Sequence, residues 1–381
     1  MSGATKCDGA LHLNVRLHKL AAQFAGAFPN LSRPQPIGFY SINEAREFQD
    51  DASNATYLFL PPRNTLPLNL NAGIENVQRK VAQHEYHDIY QFCQYIYNHQ
   101  ELLVKSSNGQ LRLDNDFVTF RGILRLIMCT PYEKQKDYKL MATRLNDTIY
   151  IAKVETEADR IDREQMTQRQ LDMCSWGFKF EQYCTTDTPN IPPKTNVPVI
   201  EAKEFACVYR CKLNGMNLLY GAEMDGMKSD VIVDLDKPEQ LRSVEFVELK
   251  TTAHQLNRNQ QRSFDNYKSL NWWCQSYLVG IRTILAGLRD NQGLLHDIKE
   301  YNVTEMHRQK PWSPAAVVTF LSNFLHELKS LIEHIDDPND PPVVMLDYIA
   351  NEGQVLYTVL QGTHRPPMLP NWYRQLFRGE T

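Results

Sequence analysis

Asn214-Gly215 separates two apolar-rich runs, 205–213 and 216–225. A two-residue hairpin turn needs positive φ at both central positions, which asparagine and glycine tolerate. The turn commits the chain to an antiparallel pair and fixes its register. Leu213 must face Met216 and, counting outward, Ala206 must face Glu223. A small residue there leaves space beside the carboxylate, provided no bulge intervenes. Asn146-Asp147 supplies similar turn chemistry between 140–145 and 148–154.

Helical spacing of Val77, Val81, Ile89, Cys93 and Ile96 predicts a helix over about 74–103. Further helices are expected from Thr119 through Ile127, over 160–183 with Gly177 as an interruption, and over 260–278. Ser313-Pro314 starts another by N-cap and first-turn proline. Strands are expected at 230–234, 245–252, 281–289, 294–301, 343–349 and 355–361. Strands and helices alternate with no linker, so the fold class is mixed α/β (α+β). We expect one large catalytic domain over 37–381, after a loosely organised N-terminal extension, 1–36, that ends in the extended Arg33-Pro34-Gln35-Pro36.

Composition excludes several classes. The eight cysteines are scattered through 381 residues, unlike a secreted disulfide framework. Cys207 and Cys211 lack the second Cys or His pair that zinc requires. His84-Glu85-Tyr86-His87 spaces its histidines three apart, not at the zinc-protease interval. Residues 1–15 have no signal-peptide pattern, and no run approaches the roughly 20 apolar residues of a membrane span. These features predict an intracellular, reduced protein without a membrane segment. The net charge of −4 provides no global positive field, so any nucleic acid must meet a local basic cleft.

Acidic residues carry the chemistry. In Glu223-Met224-Asp225, residues two apart on a strand would share a face. Glu248-Leu249-Lys250 repeats that geometry with a carboxylate and an ammonium. Charges among apolar neighbours need partners, and a carboxylate set suits hard cations such as Mg²⁺. Glu181, four residues after Gly177 on one helical face, supplies a fourth carboxylate, with Gly177 allowing close backbone approach. Two metals about 4 Å apart would stabilise both oxygens of an in-line displacement, while Lys250 neutralises phosphate charge. Arg121, in the first turn of a predicted helix, is placed to meet a phosphate. The order Glu-x-Asp, Glu-x-Lys, then a helix bearing a glutamine resembles the restriction-endonuclease-like metal core. That pattern alone does not separate DNA from RNA.

Longer stretches narrow the choice. Phe117-Val118-Thr119-Phe120-Arg121-Gly122, Thr130-Pro131-Tyr132-Glu133 and Trp176-Gly177-Phe178-Lys179-Phe180-Glu181-Gln182-Tyr183 resemble the decapping exoribonuclease family. So do Gly221-Ala222-Glu223-Met224-Asp225, Val247-Glu248-Leu249-Lys250-Thr251 and Trp272-Trp273-Cys274-Gln275-Ser276, in family order. The resemblance implies two β-sheets with flanking helices. It also implies Mg²⁺-dependent hydrolysis of RNA 5′ ends, with two ions and Mn²⁺ as a substitute. The implied substrates are 5′-triphosphate, incompletely capped and NAD-capped RNA, with 5′→3′ exonuclease digestion. Glu181, Glu223, Asp225 and Glu248 would be ligands with the Leu249 carbonyl, and Lys250 and Gln275 would touch the reacting phosphate. Phe120, Arg121 and Gly122, with Arg46, would hold RNA beside Ala206 and Glu223. Arg79 stands where the family often has an acidic residue. A monomer in nucleus or cytoplasm is implied, with a larger 5′→3′ exoribonuclease as a conceivable partner. The alternative is an RNA 5′-end-binding or exonuclease-partner protein with little activity of its own.

Overall fold

In a computed structural model, described for residues 8–13, 15, 28–81, 86–106, 109–337 and 340–378, the central hairpin keeps its expected register. Asn214 and Gly215 have φ of 46° and 92°. Leu213 pairs with Met216 and Ala206 with Glu223, with no bulge between. Asn146 and Asp147 take φ of 44° and 70° between Leu145 and Thr148.

Both hairpins lie in one ten-stranded sheet. The short strand Phe117–Phe120 sits between them, parallel to Thr148–Val154 and Met216–Glu223. Gln35–Ile42 adds to the outer side of Glu204–Leu213, and Val343–Ile349 to the outer side of Tyr138–Leu145. A seven-stranded sheet has Phe246–Ala253 parallel to Thr283–Arg289 at its centre. Parallel neighbours need a long crossover. Here it is the helical run 258–277, made of Arg258–Ser263, a π-helical turn Phe264–Lys268 and Ser269–Tyr277. Leu103–Lys105 and Leu111–Leu113 form a small third sheet beyond the two expected.

Alternation along the strands sorts side chains into separate cores. Phe205, Cys207 and Tyr209 of the large sheet share one core with Phe246 and Ile284 of the second, and with Val317, Phe320 and Phe324 of helix Pro314–Ile335. Val118, Tyr150 and Val208 turn the other way, toward Phe92 and Ile96 of helix His87–Asn98. Trp176 and Phe180 of helix Gln168–Cys184 cover Leu249, Leu285 and Leu295.

Several expected elements change. The helix expected over 74–103 begins at His87. Upstream, Gly73 takes a left-handed φ of 76°, and Gln78 bridges to Ile200, so that backbone is committed elsewhere. Residues 82–85, including His84-Glu85, lie outside the described residues. The 160–183 helix is two, Glu157–Glu164 and Gln168–Cys184, because Thr167 and Gln170 form a capping box and start the second anew. No strand forms at 230–234; Val231 and Ile232 stand 69% and 75% exposed, with no ladder neighbour. Within 1–36, Gly9–Ala10 adds an edge strand against Tyr357 and Leu356, and Leu11 and Val15 enter the core. Among the described residues no helix is long and apolar enough to cross a membrane.

Candidate active site

The chain leaves the large sheet at Glu223 and joins the second at Gly226–Met227. Asp225 therefore lies on the link between sheets, not on the strand as the two-residue periodicity predicted. What aims its carboxylate is the next sheet: Oδ2 accepts the Leu249 amide at 2.6 Å, and its carbonyl accepts the Thr56 hydroxyl at 2.9 Å. Leu249 thus bonds Asp225 through its N–H, on the strand edge to which its carbonyl also points.

Glu248 and Lys250 share a face of strand Phe246–Ala253, as expected. Glu248 is fully buried. Its carboxylate accepts Arg121 Nη1 at 3.0 Å, Gln275 Nε2 at 2.6 Å and the Lys250 ammonium. Arg121 opens helix Arg121–Cys129, with Phe120 as an extended N-cap, and is itself buried. Gln275 arrives from helix Ser269–Tyr277. Two distant helices thus converge on a carboxylate that its own strand already pairs with Lys250. Burial opposes its ionisation, but Lys250 and then Arg121 outweigh that and hold its pKa below the ordinary range.

The other three carboxylates behave oppositely. Burial, then Asp225 and Glu223, raises Glu181 well above the usual value. Desolvation on its inner side, with the charges of Glu204 and Asp225, pushes Glu223 up to about 8, although the residue is exposed along the cleft. Burial and Glu248 push Asp225 up to about 6. Each feels the others' negative charge, and none has a cation as close as those on Glu248. Helix Gln168–Cys184 carries Glu181 here through its buried Trp176 and Phe180. Gly177 does not serve close approach: a Cβ there would meet nothing within 4 Å, because the helix packs through the Trp176–Phe180 face.

Beside these groups opens a cleft of about 370 Å³. Phe120, Arg121, Gly122, Ala206, Glu223 and Gln275 line it, so six of the sequence-assigned residues meet at one cavity. Gly122 faces open space, where any side chain would intrude. Arg46 stands behind the wall. Its φ of 65° is left-handed, and its guanidinium holds Glu204 at 2.6 Å and Asp88 at 3.4 Å, both of which line the cleft. Arg79 turns to Asp172 at 2.9 Å, while its neighbour Lys80 enters the cleft and pairs with Glu204 at 2.7 Å.

Sequence reasoning missed Glu204, Lys80, Arg125 and Tyr40 on the cleft wall. Glu204 was readable: it lies two before Ala206 on the same strand, hence on the same face. Lys80 and Tyr40 arrive through long-range packing that leaves no local pattern.

A donor set made wholly of carboxylate oxygens, three of them destabilised as anions by one another, fits a hard divalent cation. Among the described residues no three His, Cys, Asp or Glu side chains already stand at the spacing that grips one ion. Glu248 is turned instead to Lys250, Arg121 and Gln275.

Residues 32–374 match the family described as RAI1 like PD-(D/E)XK nuclease. The chain belongs to that family. Glu248-Leu249-Lys250 spells the (D/E)XK part of its name. The chain is 46% identical to the decapping and exoribonuclease protein Rai1 of Drosophila melanogaster, over 95% of this chain and 96% of that one. Candida albicans Rai1, solved with pU5 and Mn²⁺, superposes with a TM-score of 0.78 at 17% identity, covering 93% of this chain and 97% of that one. Scheffersomyces stipitis Rai1, solved with (3′-NADP)⁺ and calcium, gives 0.76 at 18%, covering 91% and 96%. These two likenesses carry the mixed α+β nuclease fold across low identity.

Proposed function

We propose that this RAI1-like nuclease uses a divalent cation to hydrolyse phosphate linkages at RNA 5′ ends, removing incomplete or NAD caps, releasing pyrophosphate from triphosphates and digesting 5′→3′. The single observation that carries the reading is the junction between sheets. There the Glu248–Lys250–Arg121–Gln275 knot adjoins three mutually repelling carboxylates at the edge of a cleft. Glu181, Glu223, Asp225 and Glu248 are the side chains that would hold Mg²⁺ or Mn²⁺, which when bound polarises a phosphate and acidifies water.

The chain's own residues have separable tasks. Lys250, charged by its carboxylate neighbours, neutralises a phosphate oxygen as negative charge grows there. Gln275 holds Glu248 in place and presents its amide at the cleft. Arg121 adds a guanidinium beside free N–H groups at a helix start, a combination that favours an anion. The ring of Phe120, half-buried on the wall, offers a face to a base. We take 37–381 as one catalytic unit acting as a monomer in the nucleus or cytoplasm, with a larger 5′→3′ exoribonuclease as a partner. The testing experiment incubates purified protein with 5′-triphosphate, capped, NAD-capped and 5′-monophosphate RNAs in Mg²⁺ and resolves the products. Release of pyrophosphate or intact cap supports the reading. Intact RNA in every lane overturns it.

A further inference from the structure

Away from the cleft, two adjoining hollows of about 440 and 690 Å³ share Arg33, Pro34, Gly280, Ile281 and Arg282. Arg33, Arg242 and Arg282 converge on the first, and all three are exposed. Among the described residues none of the three has an ion pair or side-chain hydrogen bond. One carboxylate lines that hollow, Glu245, and it is paired with Lys228 at 3.6 Å. On a chain of net charge −4, three unpartnered guanidinium groups around one concavity are a local positive field. The second hollow is aromatic. The Tyr277 ring stacks on Trp273 with centroids 4.4 Å apart, and Phe28, 45% exposed, meets Tyr277 edge-on at 6.1 Å.

We infer that Arg33, Arg242 and Arg282, with Phe28 and Tyr277, form a second binding surface for single-stranded RNA, separate from the catalytic cleft. A basic groove beside an exposed aromatic ring is what strand binding without sequence preference requires: guanidinium groups take phosphates, and the exposed Phe28 ring, backed by Tyr277, takes a base. The inference rests on the RNA reading above. Tyr209 lines the basic hollow and Ala206 the cleft, three residues apart on one strand, so the two surfaces lie on opposite faces of the large sheet and an RNA strand joining them passes round its edge. Their contacts are distinct, since no residue lines both cavities. A transcript long enough to reach both would be retained between cleavage events, because the second contact becomes intramolecular.

The test is a length series of 5′-monophosphate oligouridylates, from a dinucleotide to about 20 nucleotides, longer than a single site of this kind covers. Binding is measured by fluorescence anisotropy across a salt range, and dinucleotide hydrolysis is measured in parallel. For the Arg33→Ala/Arg242→Ala/Arg282→Ala variant we expect at least about tenfold weaker binding of the longest RNA and a salt slope smaller by about 2. Dinucleotide binding and turnover should equal wild type, which also shows that the variant is folded. Arg33→Lys/Arg242→Lys/Arg282→Lys should keep most of the salt slope, and Phe28→Ala should weaken only the longer RNAs. Equal affinity and slope for wild type and variant on long RNA would overturn the inference and leave the arginines a solvated surface. Equal losses on dinucleotide and long RNA would also overturn it, by placing the residues in the cleft's own machinery. A wild type that neither binds nor cuts any RNA would instead bring down the functional reading.

Discussion

The two halves of the candidate active site differ in how their charge is settled. Glu248 is buried yet held below its ordinary pKa, because Lys250, Arg121 and Gln275 all point at it. Among the described residues Glu181, Glu223 and Asp225 have no cation within ion-pair distance, and desolvation together with their neighbours' negative charges outweighs the more distant cations and raises all three. One half is complete as the chain folds, its single carboxylate held by two cations and an amide. The other is unfavourable until positive charge arrives. A site that binds and releases a cation needs both: a fixed knot to set geometry, and an unsettled group to supply affinity.

The contrast breaks most visibly at Glu248. Glu248→Ala leaves Arg121 and Lys250 facing each other without their counter-charge. Removing one partner from a buried ion pair costs about 3–5 kcal/mol. We expect that loss in urea denaturation, together with loss of hydrolysis. Wild-type stability in this variant would mean that the knot carries no structural load. Glu223→Gln with Asp225→Asn should do the reverse. Hydrolysis should fall by at least about a hundredfold, while chelator-treated protein stays as stable as wild type or gains, since repulsion is relieved.

These assignments were largely legible because a hairpin turn and strand alternation are local rules. Asn214-Gly215 placed Ala206 opposite Glu223, and Glu248-Leu249-Lys250 placed carboxylate and ammonium together. Asp225 shows where such rules stop. It lies past the end of its strand, and a hydrogen bond from Leu249, 24 residues on, aims it. Arg46 was assigned to substrate from resemblance, whereas its side chain braces Glu204 and Asp88 from behind. The Val231-Ile232 run has strand composition but no neighbour to pair with, and composition cannot report a missing partner.

Smaller changes sharpen the division. Lys250→Ala should reduce single-turnover rate by roughly a hundredfold while RNA affinity changes little, if its ammonium acts on charge developing in the reaction. Lys250→Gln should not rescue the rate. Weak binding with normal turnover at saturation would make Lys250 a docking residue. Arg121→Ala should lower the salt slope of RNA binding by about 0.7, one phosphate contact on a single strand. An unchanged slope would restrict Arg121 to its pairing with Glu248.

The carboxylate trio is unsettled without a cation, and thermal unfolding across pH tests this directly. A raised folded pKa means that the native state holds protons the unfolded state has released, so this contribution to stability is full at low pH and declines as pH rises. The window runs from 3.8 to about 6 for Asp225 and from 4.5 to about 8 for Glu223. In chelator, wild-type Tm relative to Glu223→Gln/Asp225→Asn should therefore fall across that window. Mn²⁺ should restore wild type at the upper end and leave the double variant unmoved. Parallel pH profiles for the two proteins in chelator, with no Mn²⁺ stabilisation of wild type, would contradict the claim.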